Sequence, residues 1–165
     1  MFIPAMIAVL LAEFGGRAAL LPELRMRSLA AMLLGIAVGA AAFAGFSLSA
    51  TMNSHARSLL LGIAFILTGF NQFGKAAPSD TPRTRLGTLI FVARSGAPFL
   101  AFAFSVWRET PIGAAAGALA GVAGAIALGV APIPPGMVAW LRRCAGVVLV
   151  ATGIYAALWA LRFIA

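Results

Sequence analysis

The chain is poor in the groups that would let it face water. Only 10% of its 165 residues are charged, and acids are the scarcest, with Glu13, Glu23, Asp80 and Glu109 making up all four. Soluble domains carry about a quarter charged residues, so lipid, not water, is the expected main surrounding of the fold. A single cysteine, Cys144, rules out an intramolecular disulfide framework and a cysteine metal cluster. A single histidine, His55, cannot build a site that takes three or four ligands. "ARSGA" around Ser95 loosely resembles a serine-nucleophile turn, but a serine needs a base in hydrogen-bond reach, and His55 lies in the short loop Thr51–Arg57. No enzyme is expected, and Ser95 reads as a small packing residue.

What is abundant is apolar: 62% of the residues are hydrophobic. Six stretches stand out, at Phe2–Leu24, Ser28–Ala50, Ser58–Phe73, Leu86–Trp107, Ile112–Ala131 and Arg142–Ile164. Most approach the ~20 residues that cross ~30 Å of hydrocarbon at 1.5 Å per residue. With no water to satisfy it, backbone in such stretches must be helical. The predicted fold is therefore an all-α membrane protein with six transmembrane helices, and the lipid bilayer is its first partner. The first stretch lacks a basic leader and a small-residue cleavage site, so it reads as a retained span. Trp107, Trp140, Tyr155 and Trp159 fall near predicted span ends, where amphipathic rings anchor. Asn53 or Ser54 is expected to cap the third span.

The net charge is +8, and its placement matters more than its size. Connections after the first, third and fifth spans carry seven cations: Arg25, Arg27, Lys75, Arg83, Arg85, Arg142 and Arg143. The opposite side carries three, Arg57, Arg108 and Arg162, which puts both termini outside the cytoplasm of a cell membrane. Without a basic helix face interleaved with aromatics, nucleic-acid binding is not expected. Glu23 with Arg25, and Arg108 with Glu109, are expected to be solvated pairs of little worth.

The chain also repeats itself. "LAEFGGRAALLPELRMR" lies over "FVARSGAPFLAFAFSVWR" at a shift of 81, matching Glu13 with Arg94 and Gly15 with Gly96. Gly35 and Gly39 lie over Gly117 and Gly121 at a shift of 82, and Gly62, Thr68 and Gly69 over Gly146, Thr152 and Gly153 at 84. Chance matching of glycine and alanine competes with a duplication. Three spans per half force the second half to insert in the opposite sense, giving two inverted three-helix repeats. Residues 1–73 form the first, 74–85 a solvated linker and 86–165 the second. Gly35-x-x-x-Gly39 and Gly117-x-x-x-Gly121 are expected to bring the second and fifth helices close.

Charges inside the spans are the sharpest functional signal. Glu13 sits in the middle of the first span with Arg17 one turn later, and Arg94 occupies the matched place in the fourth. An ion at that depth costs several kcal/mol and needs a partner or a wet cavity. Glu13 can pair locally with Arg17 or across the repeat with Arg94. Gly15-Gly16 and Ser95-Gly96-Ala97-Pro98 are placed to interrupt both helices, freeing backbone for a midplane site. Asn71 and Gln72 are either polar liners or interfacial amides bonded to backbone.

"AEFGGRAALL" resembles the Glu-x-Gly-Asp-Lys/Arg-Ser/Thr signature of the Gdt-type membrane family in the lysine-exporter superfamily. Glu13, Gly15 and Arg17 match the signature, whereas Gly16 stands for its Asp and Ala18 for its Ser/Thr. In the second copy Gly96 matches, while Arg94, Ala97 and Pro98 replace Glu, Asp and Lys/Arg. The resemblance implies inverted three-helix repeats and transport of manganese or calcium, exchanged for protons, with Glu13 as the metal-facing residue. Glu13, Gly15, Gly16, Arg17, Thr68, Arg94, Gly96 and Thr152 become the candidate pathway residues. Mn2+ or Ca2+ enters only as a transported ion; no resident cofactor is expected.

One carboxylate between two arginines is a weak site for a hard divalent cation, which needs several oxygen ligands. Two other expectations therefore stand beside cation transport. The arginines can draw a small anionic or carboxylate-bearing solute, or the chain can be a non-transporting membrane partner in which Glu13 locks the repeats together. Self-association is compatible with each.

Overall fold

A computed structural model describes residues 1–14, 27–73, 85–93, 95–129 and 134–162. Among them every regular element is helical: α1 Phe2–Glu13, α2 Arg27–Ser49, α3 Ser54–Asn71, α4 Arg85–Ala93, α5 Gly96–Arg108, α6 Pro111–Gly129 and α7 Pro135–Arg162. Three contain stretches long and apolar enough to cross a membrane, Ser28–Ser49, Pro111–Gly129 and Gly136–Leu161.

The remaining elements depart from uniform spans in informative ways. α1 has 12 residues, and its helix gives way to extended backbone at Phe14. The predicted Phe2–Leu24 span is thus helical to Glu13, and its remainder, with the Glu23–Arg25 pair, lies outside the described residues. The predicted Leu86–Trp107 span is two helices, the 9-residue α4 and the 13-residue α5. α3 starts earlier than expected because the Asn53 side chain accepts from Ala56 N at 2.8 Å. α7 starts at Pro135, seven residues before the expected Arg142, since a helix's first turn has no use for the N–H that proline lacks.

Side-chain size is distributed unlike in a soluble domain, with large apolar groups outside and small ones inside. Large apolar side chains are exposed on every described helix, among them Ile3, Ile36, Phe70, Leu86, Phe99, Ile112 and Trp140. Buried positions are dominated by alanine, including Ala5, Ala8, Ala42, Ala97, Ala101, Ala114 and Ala118. Lipid tails are as apolar as leucine, so helices in a bilayer gain by close backbone approach through small residues instead of by hiding large ones. Phe65 and Phe104 are the bulky exception, meeting edge to face at 5.6 Å.

The principal packed pairs are α1 with α6, α2 with α5 and α3 with α7. A Cβ at Gly62 would sit 2.7 Å from Gly153 O, and one at Gly69 would sit 2.9 Å from Gly146 O. Partner numbers fall along α7 as they rise along α3, so these helices are antiparallel. A Cβ at Gly121 would sit 2.5 Å from Met6 O, one at Gly124 would meet Leu10 and one at Gly113 would meet Met1, so α6 runs parallel to α1.

Two expectations about these glycines and charges are corrected here. Gly35 and Gly39 would meet nothing within 4 Å, so they make no close crossing. Gly117 and Gly121 press on α1, not α2, and α2 approaches α5 through Gly45 instead. Glu109 adopts a left-handed backbone, φ 55°, and pairs with Arg57, not with Arg108. Arg57 also donates to Ser49 O at 2.6 Å and Met52 O at 2.9 Å, closing the α2–α3 turn. The Arg108 guanidinium lies over the Trp107 ring, 4.3 Å from its centroid.

Candidate functional site

The site begins where two helices stop. α1 ends on Glu13, whose residue is 3% exposed, and α5 begins on Gly96 with Ser95 as its N-cap. Glu13 Oε1 accepts from Ser95 Oγ at 2.7 Å, from Gly96 N at 2.7 Å and from Ala97 N at 3.3 Å. The carboxylate therefore occupies the N-terminus of α5, where unpaired N–H groups and the helix dipole favour negative charge. Local sequence dictates this end. The Ser95 hydroxyl caps Ala97 N at 3.3 Å, and Pro98 falls in the first turn, where its missing N–H costs nothing.

Gly96 lies where three helices converge. A Cβ there would be 3.1 Å from Thr68 Cγ2, 3.6 Å from Glu13 Oε1 and 3.9 Å from Ala12 Cβ. Thr68 is buried beside this junction, its hydroxyl donating to Ala64 O at 2.6 Å along its own helix. It presents its methyl to the site, not an oxygen.

Gln72 ties the carboxylate's helix to the rest of the bundle. Its Nε2 donates to Leu11 O at 3.2 Å and to Ala12 O, satisfying carbonyls at the end of α1. Its Oε1 accepts from Arg142 Nε at 2.9 Å, and Arg142 also donates to Asn71 O at 3.2 Å. An amide bonded to backbone was one of the two expectations for Gln72. At 3% exposure, however, it is buried instead of interfacial. Replacing Gln72 with leucine strands the α1 carbonyls and takes from Arg142 one of its two acceptors. The expected cost is about 1–3 kcal/mol for the unsatisfied buried groups, read as a lowered unfolding midpoint in micelles. An unchanged midpoint would show that the amide does not hold α1 in place.

Of the sequence-predicted residues, Glu13, Gly96 and Thr68 come together. Thr152 does not join them: it is exposed, back-bonded to Val148 O at 2.8 Å, and lines a lateral groove. Gly15, Gly16, Arg17 and Arg94 lie outside the described residues, so both predicted partners of Glu13 do as well. Ser95, expected to be a packing residue, instead bonds the carboxylate directly. Its signal was present in the sequence, as a serine directly ahead of an apolar helical run is an N-cap candidate. Among the described residues no group of three or more His, Cys, Asp or Glu is placed to hold a metal ion.

No protein-family model matches the chain, and neither the curated proteins nor the solved structures supply a match.

Proposed function

We propose that this chain is a carrier-type membrane protein built from two inverted three-helix units, with its exchange site where Glu13 meets the start of α5. The repeat is supported by contacts that exchange with one another. The shift of 84 that carries Gly62 to Gly146 also carries Gly69 to Gly153. The Gly62–Gly153 crossing thus maps onto the Gly69–Gly146 crossing. Swapping the two halves likewise turns the α1–α6 pair into the α5–α2 pair and returns α3–α7 to itself. Parallel α1 and α6 with antiparallel α3 and α7 agree with six crossings of alternating direction, α4 and α5 together making one. Both termini lie outside the cytoplasm in this reading.

The observation that carries the function is the broken helix pointing its N-terminus at a buried carboxylate. Discontinuous helices of this kind bind anionic groups at the midplane of secondary transporters. Here the chain's own acid fills the place. Protonating Glu13 removes the charge that α5 holds, and a small carboxylate solute then takes over the Ser95, Gly96 and Ala97 donors. A proton and an anion would thus travel together. Arg17, four positions after Glu13, and Arg94, next to Ser95 in sequence, add to the attraction for an anion.

The likeness to the Gdt-type signature favours a second reading, exchange of Mn2+ or Ca2+ for protons. There the α5 N-terminus stands in for the cation while no ion is bound. The two readings separate in proteoliposomes. Uptake of small carboxylates driven by an inward proton gradient, lost in Glu13→Gln and reduced in Arg94→Met, is the expected result. Glu13-dependent uptake of Mn2+ or Ca2+ without carboxylate flux would replace it with the cation reading. Absence of both fluxes would leave Glu13 as a lock between repeats.

A further inference from the structure

A groove of about 700 Å3 opens sideways between α1, α3, α5 and α7, separate in its lining from the Glu13 junction. Its long walls run from Ile3 to Leu11 on α1 and from Val148 to Trp159 on α7. At 1.5 Å per residue these walls are ~12 and ~16 Å long, about half of a ~30 Å hydrocarbon core. The groove therefore matches one leaflet. Its polarity is graded along that length. Ser58, Trp107, Arg108 and Trp159 sit at the end where α3 begins and α5 and α7 finish, and Leu11, Phe65 and Val148 at the other.

The cation at the rim is uncommitted within the described part of the protein. Glu109, its sequence neighbour, is turned away by its left-handed backbone and is paired with Arg57. The Arg108 guanidinium carbon lies 4.3 Å from the Trp107 ring centroid, and its N–H fork suits a planar or tetrahedral anion.

We propose that this groove is a specific site for an anionic phospholipid, with one acyl chain between α1 and α7 and the phosphate at Arg108. The occupant is chosen by charge and length together: an apolar slot of one-leaflet depth, closed at its polar end by a guanidinium. A zwitterionic lipid would fill the slot equally well but would gain less from the arginine. Thr152 and Tyr155 line the middle of the groove, which gives Thr152 a place in the fold independent of the ion pathway.

The test is native mass spectrometry of the full chain, titrated in micelles with phosphatidylglycerol or phosphatidylcholine. Wild type should retain one phosphatidylglycerol about fivefold better than phosphatidylcholine, the worth of one arginine near an anionic lipid surface. Arg108→Gln should lose that preference while its melting midpoint in zwitterionic micelles stays the same. Ala156→Phe, which fills the groove wall, should lose the retained lipid of either kind. Equal retention of the two lipids by wild type would overturn the proposal, as would a preference that survives Arg108→Gln. A lipid adduct that persists in Ala156→Phe, or a dimer mass in place of the adduct, would overturn it too.

Discussion

Glu13→Leu should be the most damaging single substitution, lowering unfolding free energy by about 2–4 kcal/mol as buried and part-buried donors lose a charged acceptor. Replacing a buried ion by a hydrocarbon of similar size is sometimes neutral, because the desolvation cost of the charge disappears with it. That compensation fails here. The Ser95 hydroxyl and the Gly96 and Ala97 amides would remain at the start of α5 with their shared acceptor gone. Glu13→Gln keeps an oxygen in the same place and loses only the charge. Its cost should be nearer 1 kcal/mol, about that of a neutral hydrogen bond against a charged one. Denaturant titration of both variants in mixed micelles gives the comparison. A leucine variant as stable as wild type would mean that the carboxylate does not cap α5, and the proposed exchange site would go with it.

The second large effect is expected at the α3–α7 crossing. Gly62→Ala and Gly153→Ala each place a methyl inside the space held by the partner's backbone carbonyl, at 2.7 Å and 2.6 Å. Backbone cannot rotate aside as a flexible side chain can, so the helices must separate, at about 1–3 kcal/mol per substitution. The double variant should cost less than the sum, because the first methyl already opens the crossing that the second would strain. Gly35→Ala and Gly39→Ala are the matched controls. Both lie within α2 with nothing in reach of an added Cβ, so alanine's better helix propensity should leave them neutral or up to about 1 kcal/mol more stable. Equal losses at all four glycines would refute the crossing geometry.

The contrast among these glycines shows how far pattern alone carries. Gly35-x-x-x-Gly39 and Gly117-x-x-x-Gly121 are indistinguishable as spacings, yet only the second pair lies under another helix. Spacing states which residues share a face; it does not state what that face meets. The same limit applies to charge. Glu109 follows Arg108 directly, but a left-handed residue sends its carboxylate to Arg57, 52 positions away. Ser95 departs from expectation for a different reason. A small polar residue in an apolar run has packing and capping roles with the same composition, and only the helix start beside it separates them.

Composition by itself pointed to lipid, because a 10% charged content falls well short of what clothes a domain in water, and the three described helices long and apolar enough to cross a membrane agree with it. Sequence also placed α2 and α6, expected an interruption at Ser95–Pro98 where the break falls just ahead of Gly96, and singled out Glu13 as the acid that required an explanation. Only the tertiary structure decided what answers that acid among the described residues. The answer is a serine hydroxyl and two main-chain amides some eighty positions away, supported by a glutamine that holds the end of α1. The two amides have no signature of their own in the one-dimensional pattern. Every residue other than proline carries a backbone N–H, and only the ending of one helix opposite the beginning of another makes two of them a site.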